Sequence, residues 1–267
     1  TAPDDLLDLP DSSFNKLTMT VGTDAGQSAT AAQLNDLKDK TVQDNAFLTT
    51  NITSITGNVS DMNTFIGNIS DYVENEDSSA RAESNYTFIP TSATQSASDL
   101  NTLNTNATNI NLTNVTAFSA ADITHLSTFH SNLGDFTNFT GIANITLSND
   151  GGDSDSVDFT DLETIVDNYQ DDVNAGIVFD FQSEDDIALD DTGEVSAFLT
   201  DIGTGALNLS NQTVTVNSSV GLSVANAKTI AADTSGIVTA TIASGTRVAS
   251  LSELRDPDDD GANFEEN

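Results

Sequence analysis

The feature that most constrains this chain is a short helix-start frame that returns six times. A small polar or acidic residue is followed three places later by an amide or an acid. An apolar residue comes next, and another three places on. The copies are Thr30-x-x-Gln33-Leu34-x-x-Leu37, Asn58-x-x-Asp61-Met62-x-x-Phe65 and Ser96-x-x-Asp99-Leu100-x-x-Leu103. Further copies are Ser119-x-x-Asp122-Ile123-x-x-Leu126, Asp158-x-x-Asp161-Leu162-x-x-Ile165 and Ser223-x-x-Asn226-Ala227-x-x-Ile230. The first side chain can accept a hydrogen bond from an unpaired N–H of the opening turn. The polar residue three on reaches back, and an acid there favours the positive end of the helix dipole. The apolar pair then faces a core. The spacing between copies is irregular, which argues against a strict repeat code.

Strand-like stretches precede or separate these helices. Lys16 to Val21 alternates apolar and polar, as does Thr213-Val214-Thr215-Val216. Tyr86 to Ile89, Ile110 to Val115, Ile145 to Leu147, Ile177 to Phe181, Leu207 to Leu209 and Ile237 to Ile242 read as further strands. Asp233-Thr234-Ser235-Gly236 is turn chemistry. The expected fold is therefore α+β: irregular repeats of one short strand and one short helix, elongated and solenoid-like, each unit covering its neighbour's apolar face. The polar, Gly-rich run Asn149 to Ser156 is the candidate boundary between two domains. The expected layout is an extended N-terminal arm over 1–15, an Asn/Thr-rich strand–helix domain over 16–149, a strand–helix repeat domain over 150–254 and an acidic tail over 255–267.

Composition narrows the function. The 267 residues carry 42 Asp+Glu against 7 Lys+Arg, a formal net charge of −35. Phosphate recognition needs basic patches, so nucleic acid is excluded as a partner, and anionic membrane surfaces are disfavoured. Self-repulsion at this charge calls for screening by salt or by divalent cations. The chain has no Cys and no Trp. That suits an acidic protein exported by a microbe better than a small disulfide-framed module. No apolar run is long enough to span a bilayer. The chain begins at Thr1, which is read as removal of a leader or as a fragment of a longer protein.

Calcium is the expected cofactor. Asp256, Asp258 and Asp260 stand at alternate positions before Gly261, the opening of a calcium loop in which alternate side chains point at the ion. The bidentate acid expected at position twelve is replaced by Asn267. Asp153 and Asp155 form a second, weaker cluster, and Glu184 to Asp186 with Asp190 and Asp191 a third. Glycosylation acceptor sequons fall at Asn51, Asn58, Asn68, Asn85, Asn106, Asn111, Asn114, Asn138, Asn144, Asn208, Asn211 and Asn217.

Catalysis has little support, and the chain is expected not to be an enzyme. His125 and His130 are five apart on different helical faces, so they do not form a metal pair. Paired acids carry no information in a chain this acidic. Ser223, in the run Gly221 to Ala225, reads as a helix cap and not as a nucleophile.

The run SVANAKTIAADTSGIVTATIASGTRVASLSEL resembles repeat units of very large, acidic, secreted surface proteins of marine bacteria, including cyanobacteria. The close resemblance covers Ser219 to Leu254. It implies a calcium-dependent, exported cell-surface or fibre protein and transfers no catalytic residue.

These readings converge on an extracellular or cell-surface structural protein. It would self-assemble into a homopolymer (a filament, sheath or surface layer), with cations screening acidic subunit contacts. The alternative is a glycan-binding adhesin or a phage-type receptor-binding module, for which Phe129, Phe136 and Phe139 are the nearest aromatic group. A secreted hydrolase stands third.

Overall fold

The structure is a computed structural model that describes residues 19–21, 27–39, 46–48, 52–73, 83–139, 141–148, 157–181, 186–244 and 246. It is a mixture of helices and short strands, and every strand pairing among the described residues is parallel. Among the described residues no sheet closes into a barrel. The helices are α1 (Ala31–Asp39), α2 (Val59–Gly67), α3 (Ala97–Asn106), α4 (Ile123–Ser131), α5 (Phe159–Asp172), α6 (Thr192–Thr204) and α7 (Val224–Asp233). The expected arm over 1–15 and the acidic tail over 255–267 lie outside the described residues.

Each helix begins where a capping side chain takes up a free amide. The Thr30 hydroxyl accepts from the Gln33 amide at 3.2 Å. Asn58 accepts from Asp61 at 2.7 Å, Ser96 from Asp99 at 3.3 Å and Ser223 from Asn226 at 3.1 Å. Asp158 accepts from Thr160 at 2.9 Å. Five of the expected frames therefore start helices.

The sixth is displaced. Ser119 lies in the strand Ala117–Ala120, paired with Thr146 of the strand Asn144–Leu147. Asp122 caps α4 instead, accepting from the His125 amide at 3.0 Å. Sheet pairing claims the backbone up to Ala120, so the frame moves three residues on, to Asp122-x-x-His125-Leu126-x-x-Phe129. A seventh copy, Asp191-x-x-Glu194-Val195-x-x-Phe198, opens α6. Asp191 there accepts from Gly193 at 2.6 Å and from Glu194 at 3.0 Å.

The same spacing governs burial. The first, fourth and seventh residues after the cap are buried in α1 (Ala31, Leu34, Leu37), α2 (Val59, Met62, Phe65), α3 (Ala97, Leu100, Leu103) and α7 (Val224, Ala227, Ile230). Side chains three apart share a helix face, so one apolar stripe per helix meets the core.

Contacts gather into two compact units: residues 1–116 with 128–141, and residues 117–127 with 142–267. In the first, five strands lie in parallel in the order Gln27–Thr30, Ile52–Gly57, Thr87–Pro90, Ile110–Asn111 and Phe136–Thr137. Their register places Ala29, Ile55, Phe88, Ile110 and Phe136 in one row, and all five are buried. Strand alternation turns the neighbouring positions to the other face. A separate set joins Met19–Val21, Ala46–Leu48 and Tyr72–Val73. Helices α1, α2 and α3 pack side by side. Asn35 donates from its side chain to the Asp61 carbonyl at 2.9 Å, and Asn63 to that of Asp99 at 3.5 Å.

The second unit repeats this plan. The strands Ala117–Ala120, Asn144–Leu147, Val178–Phe181 and Leu207–Asn208 are parallel, with Phe118, Ile145, Phe179 and Leu207 in one buried row. A second sheet joins Val157–Asp158, Asp186–Leu189, Thr213–Val216 and Val238–Thr239. Burying each large apolar side chain contributes about 1.5–3 kcal/mol. Phe159 of α5 meets Phe198 of α6 edge-on, with ring centroids 5.4 Å apart. The buried Tyr169 hydroxyl donates to the Leu126 carbonyl at 3.0 Å, and burial pushes its phenol pKa far up.

Two strands differ from expectation. The stretch Ile110 to Val115 keeps only Ile110–Asn111 as strand; Thr113 and Asn114 form a turn, and the Asn111 side chain accepts from the Thr113 amide at 3.0 Å. Ile237 to Ile242 splits into Val238–Thr239 and Thr241–Ile242, which pair with different partners, Val214–Thr215 and Gly221–Leu222.

Candidate functional site

A groove of about 400 Å³ lies beside α6 in the second unit. Thr192, Val195, Ser196, Leu199 and Thr200 line one wall, and Val220, Gly221, Leu222 and Asn226 the other. Thr192, Ser196 and Thr200 are four apart, so helical geometry aligns their hydroxyls. The Thr200 hydroxyl is committed to the Ser196 carbonyl at 2.9 Å. The opposite wall is held close by the pairing of Gly221–Leu222 with Thr241–Ile242. A Cβ on Gly221 would come within 2.9 Å of the Ala243 Cα. The groove offers hydroxyls, one amide and aliphatic surface, and no ionisable group. It can hold a ligand by hydrogen bonds but has no general acid, base or nucleophile activated by one.

The acids of α5 and α6 form the main electrostatic feature. Asp201 is half-buried, and its pKa is pushed up to about 6 by burial, then by the charges of Asp167 and Glu163. Glu163 is raised by burial and by Asp167, Glu194 and Asp191. Glu194 is tied into the α6 start: it accepts from the Thr160 hydroxyl at 2.5 Å and from the Asp190 amide. Asp190 in turn accepts from the Asn217 side chain at 3.2 Å. The third acidic cluster read from the sequence is thus divided. Asp191 is a helix cap and Asp190 a cross-strand acceptor, each through Oδ1. Among the described residues, no three His, Cys, Asp or Glu side chains gather into a metal-holding group.

The five expected calcium ligands, Asp153, Asp155, Asp256, Asp258 and Asp260, lie outside the described residues, as does Asn51. The other eleven sequon asparagines fall on caps, turns and strand ends. Asn68, Asn111 and Asn144 are half-buried; Asn58, Asn85, Asn106, Asn114, Asn138, Asn208, Asn211 and Asn217 are exposed. His125 is half-buried, its Nδ1 3.2 Å from Asp122 Oδ2. Burial of Asp122 works against its charge. Hydrogen bonds from the Thr124 hydroxyl and the His125 amide, with the His125 charge, outweigh that and hold its carboxyl below the usual range. Both residues serve the start of α4.

The aromatic group at Phe129, Phe136 and Phe139 belongs to the core. Phe129 and Phe136 are buried with ring centroids 4.7 Å apart, and Phe139 is half-buried beside them. No helix among the described residues is long and apolar enough to cross a membrane. The groove beside α6 escaped sequence reasoning because its walls come from segments 20 to 30 residues apart; the seventh capping frame at Asp191 was the one available pointer to its helical wall.

No protein-family model matches the chain, and the comparisons found neither a curated protein nor a solved structure similar to it.

Proposed function

We propose that this chain is an extracellular structural subunit that assembles with copies of itself into a filament, sheath or surface layer. The observation that carries this reading is the open parallel ladder. Each strand pairs with its counterpart one repeat further on, buried rows run straight across the strands, and the described sheets end on strands such as Gln27–Thr30 and Val238–Thr239. Repeats of this kind stack as turns of an open solenoid, each covering its neighbour. A parallel edge strand is a template for another strand, and a head-to-tail contact of that sort extends without closing.

Charge sets the conditions for assembly. At −35 per chain, copies repel one another unless cations intervene. Calcium or a high concentration of monovalent salt therefore acts at the subunit contacts.

Electron microscopy of the protein from its native source, with and without a calcium chelator, tests this. Ordered filaments or sheets that come apart on chelation are expected. Assemblies indifferent to the chelator would keep the polymer and remove calcium from its contacts. Single particles in both conditions would overturn the reading and favour a glycan-binding module, with the groove beside α6 as the first place to look.

A further inference from the structure

We infer that Asn211 is an N-glycosylation site: its side-chain amide takes a saccharide and holds it at a fixed turn of the fold. Asn211-Gln212-Thr213 is an acceptor sequon. Such motifs arise readily in a chain rich in Asn and Thr, so the motif alone chooses nothing. The structure discriminates, because a glycan survives folding only where the asparagine projects into solvent and its Nδ2 is not needed inside the protein.

Five of the eight exposed sequon asparagines already use Nδ2 within the fold. Asn58 donates from Nδ2 to Asp61 Oδ2 at 2.5 Å, and Asn106 to the Thr102 carbonyl at 2.9 Å. Asn114 donates to the Pro90 carbonyl at 3.1 Å, Asn208 to Asp180 Oδ1 at 2.9 Å and Asn217 to Asp190 Oδ1 at 3.2 Å. Glycosylation there would replace one hydrogen of an Nδ2 already engaged with a neighbour and crowd that contact.

Asn211 and Asn138 both escape those contacts, and Asn211 is set apart by a turn held on both sides. Its side chain is exposed and donates no hydrogen bond to a described residue, while its backbone is locked in place. Ser210 before it adopts the left-handed conformation, with φ 47°. Gln212 after it is fully buried, and its amide donates to the Leu209 carbonyl at 2.7 Å. Ser235 donates from both its amide and its hydroxyl to the Ser210 carbonyl, at 2.8 and 3.1 Å. The turn is rigid at its backbone and open at one side chain. Because Gln212 and Thr213 are built into the fold, transfer takes place before this segment folds, and the folded turn then presents the product.

The transfer is a substitution at the sugar. Asn211 Nδ2 bonds to C1 of an activated oligosaccharide carried on a lipid pyrophosphate. The C1–oxygen bond to the carrier breaks, and the proton lost from Nδ2 leaves with the lipid pyrophosphate.

The test is mass spectrometry of glycopeptides from the protein purified from its native source, cut by a protease specific for acidic residues and fragmented by electron transfer, which keeps the sugar on its own asparagine and so separates Asn211 from Asn208 and Asn217 on the shared peptide 202–233. A saccharide on the peptide containing Asn211 is expected, with Asn58, Asn208 and Asn217 bare. Asn211→Gln and Thr213→Val, each expressed in that source, should both abolish it. Loss in the second variant separates sequon-directed glycosylation from unrelated modification of the asparagine. Circular dichroism confirms that each variant is folded. An unmodified Asn211, or saccharide on the internally bonded asparagines instead, would overturn the inference. The result does not depend on whether the chain polymerises.

Discussion

A Cβ on Gly236 would overlap the carbonyl oxygen of Gln212 and come within 2.5 Å of that of Asn211. Backbone meets backbone here. The buried Thr234 hydroxyl donates to the same Gln212 carbonyl at 2.5 Å and accepts from the Gly236 amide at 2.9 Å, so it ties together two turns one repeat apart. Gly236→Ala is therefore expected to destabilise the protein by roughly 1–3 kcal/mol, as overpacking against an immovable neighbour does. Denaturant unfolding of the variant measures this. A change below about 0.5 kcal/mol would mean that the two turns are not held together.

The asparagines that bridge consecutive helices should matter more than surface asparagines. Asn35 reaches the Asp61 carbonyl and Asn63 that of Asp99, each from the fifth position after its helix cap. Asn63→Ala should cost about 1 kcal/mol, the net worth of a typical internal hydrogen bond. Asn35→Ala should cost somewhat more, since its contact is the shorter. Exposed Ser218→Ala supplies the control, and equal effects at all three positions would remove the bridging role.

Capping residues provide a direct comparison of sequence frame with structure. Asp122→Ala should destabilise by about 1 kcal/mol through loss of the α4 cap, whereas Ser119→Ala, on a strand, should not reproduce that loss. Thermal unfolding of the two variants side by side decides between the two start points for the helix. A larger effect at Ser119 would restore the earlier frame.

Asp201 makes a pH-dependent contribution of defined sign. Its folded pKa is raised to about 6, so the native state holds the proton more tightly than the unfolded chain. Stability from this group is full below the unfolded value near pH 4 and is lost as pH rises through about 6. Asp201→Asn should stabilise by about 1 kcal/mol at pH 7 to 8 after allowance for solvent screening of a half-buried group, and should have no effect near pH 4. A stability difference independent of pH would assign the raised pKa to another acid.

Screening should raise the melting temperature. Raising monovalent salt from about 10 mM to 1 M shortens the Debye length from about 30 Å to about 3 Å, which relieves self-repulsion at −35. Calcium at matched ionic strength should add a further increase where it binds at carboxylates. A melting temperature insensitive to both would mean that charge repulsion does not limit the folded state.

Helix starts were the most legible part of the fold, since a cap and an apolar stripe are local. Thr30, Asn58, Ser96, Asp158 and Ser223 were readable from spacing alone. The frame also fits Asp191, which shows that the pattern extends further than the six copies suggest. Strand ends were less legible. Ile237 to Ile242 reads as one strand because it is a continuous run of strand-forming residues, yet pairing with two different partners breaks it at Ala240. The groove beside α6 was not legible, because hydroxyls four apart on a helix look like any solvated face until a second segment is placed opposite. Among the sequons, equal motifs became unequal only once the partners of each Nδ2 were known.

By itself the sequence determined where most helices begin, which of their residues enter a core, and the charge that any assembly must screen. These follow from interactions within a few residues or from composition alone. Only the tertiary structure decided that the strands pair in parallel, that Ala29, Ile55, Phe88, Ile110 and Phe136 share one row, and that the Gly236 turn packs on Gln212. Those relationships join residues some 20 to 35 positions apart, and parallel register has no local code. It is set by which apolar rows can be buried together when one repeat meets the next.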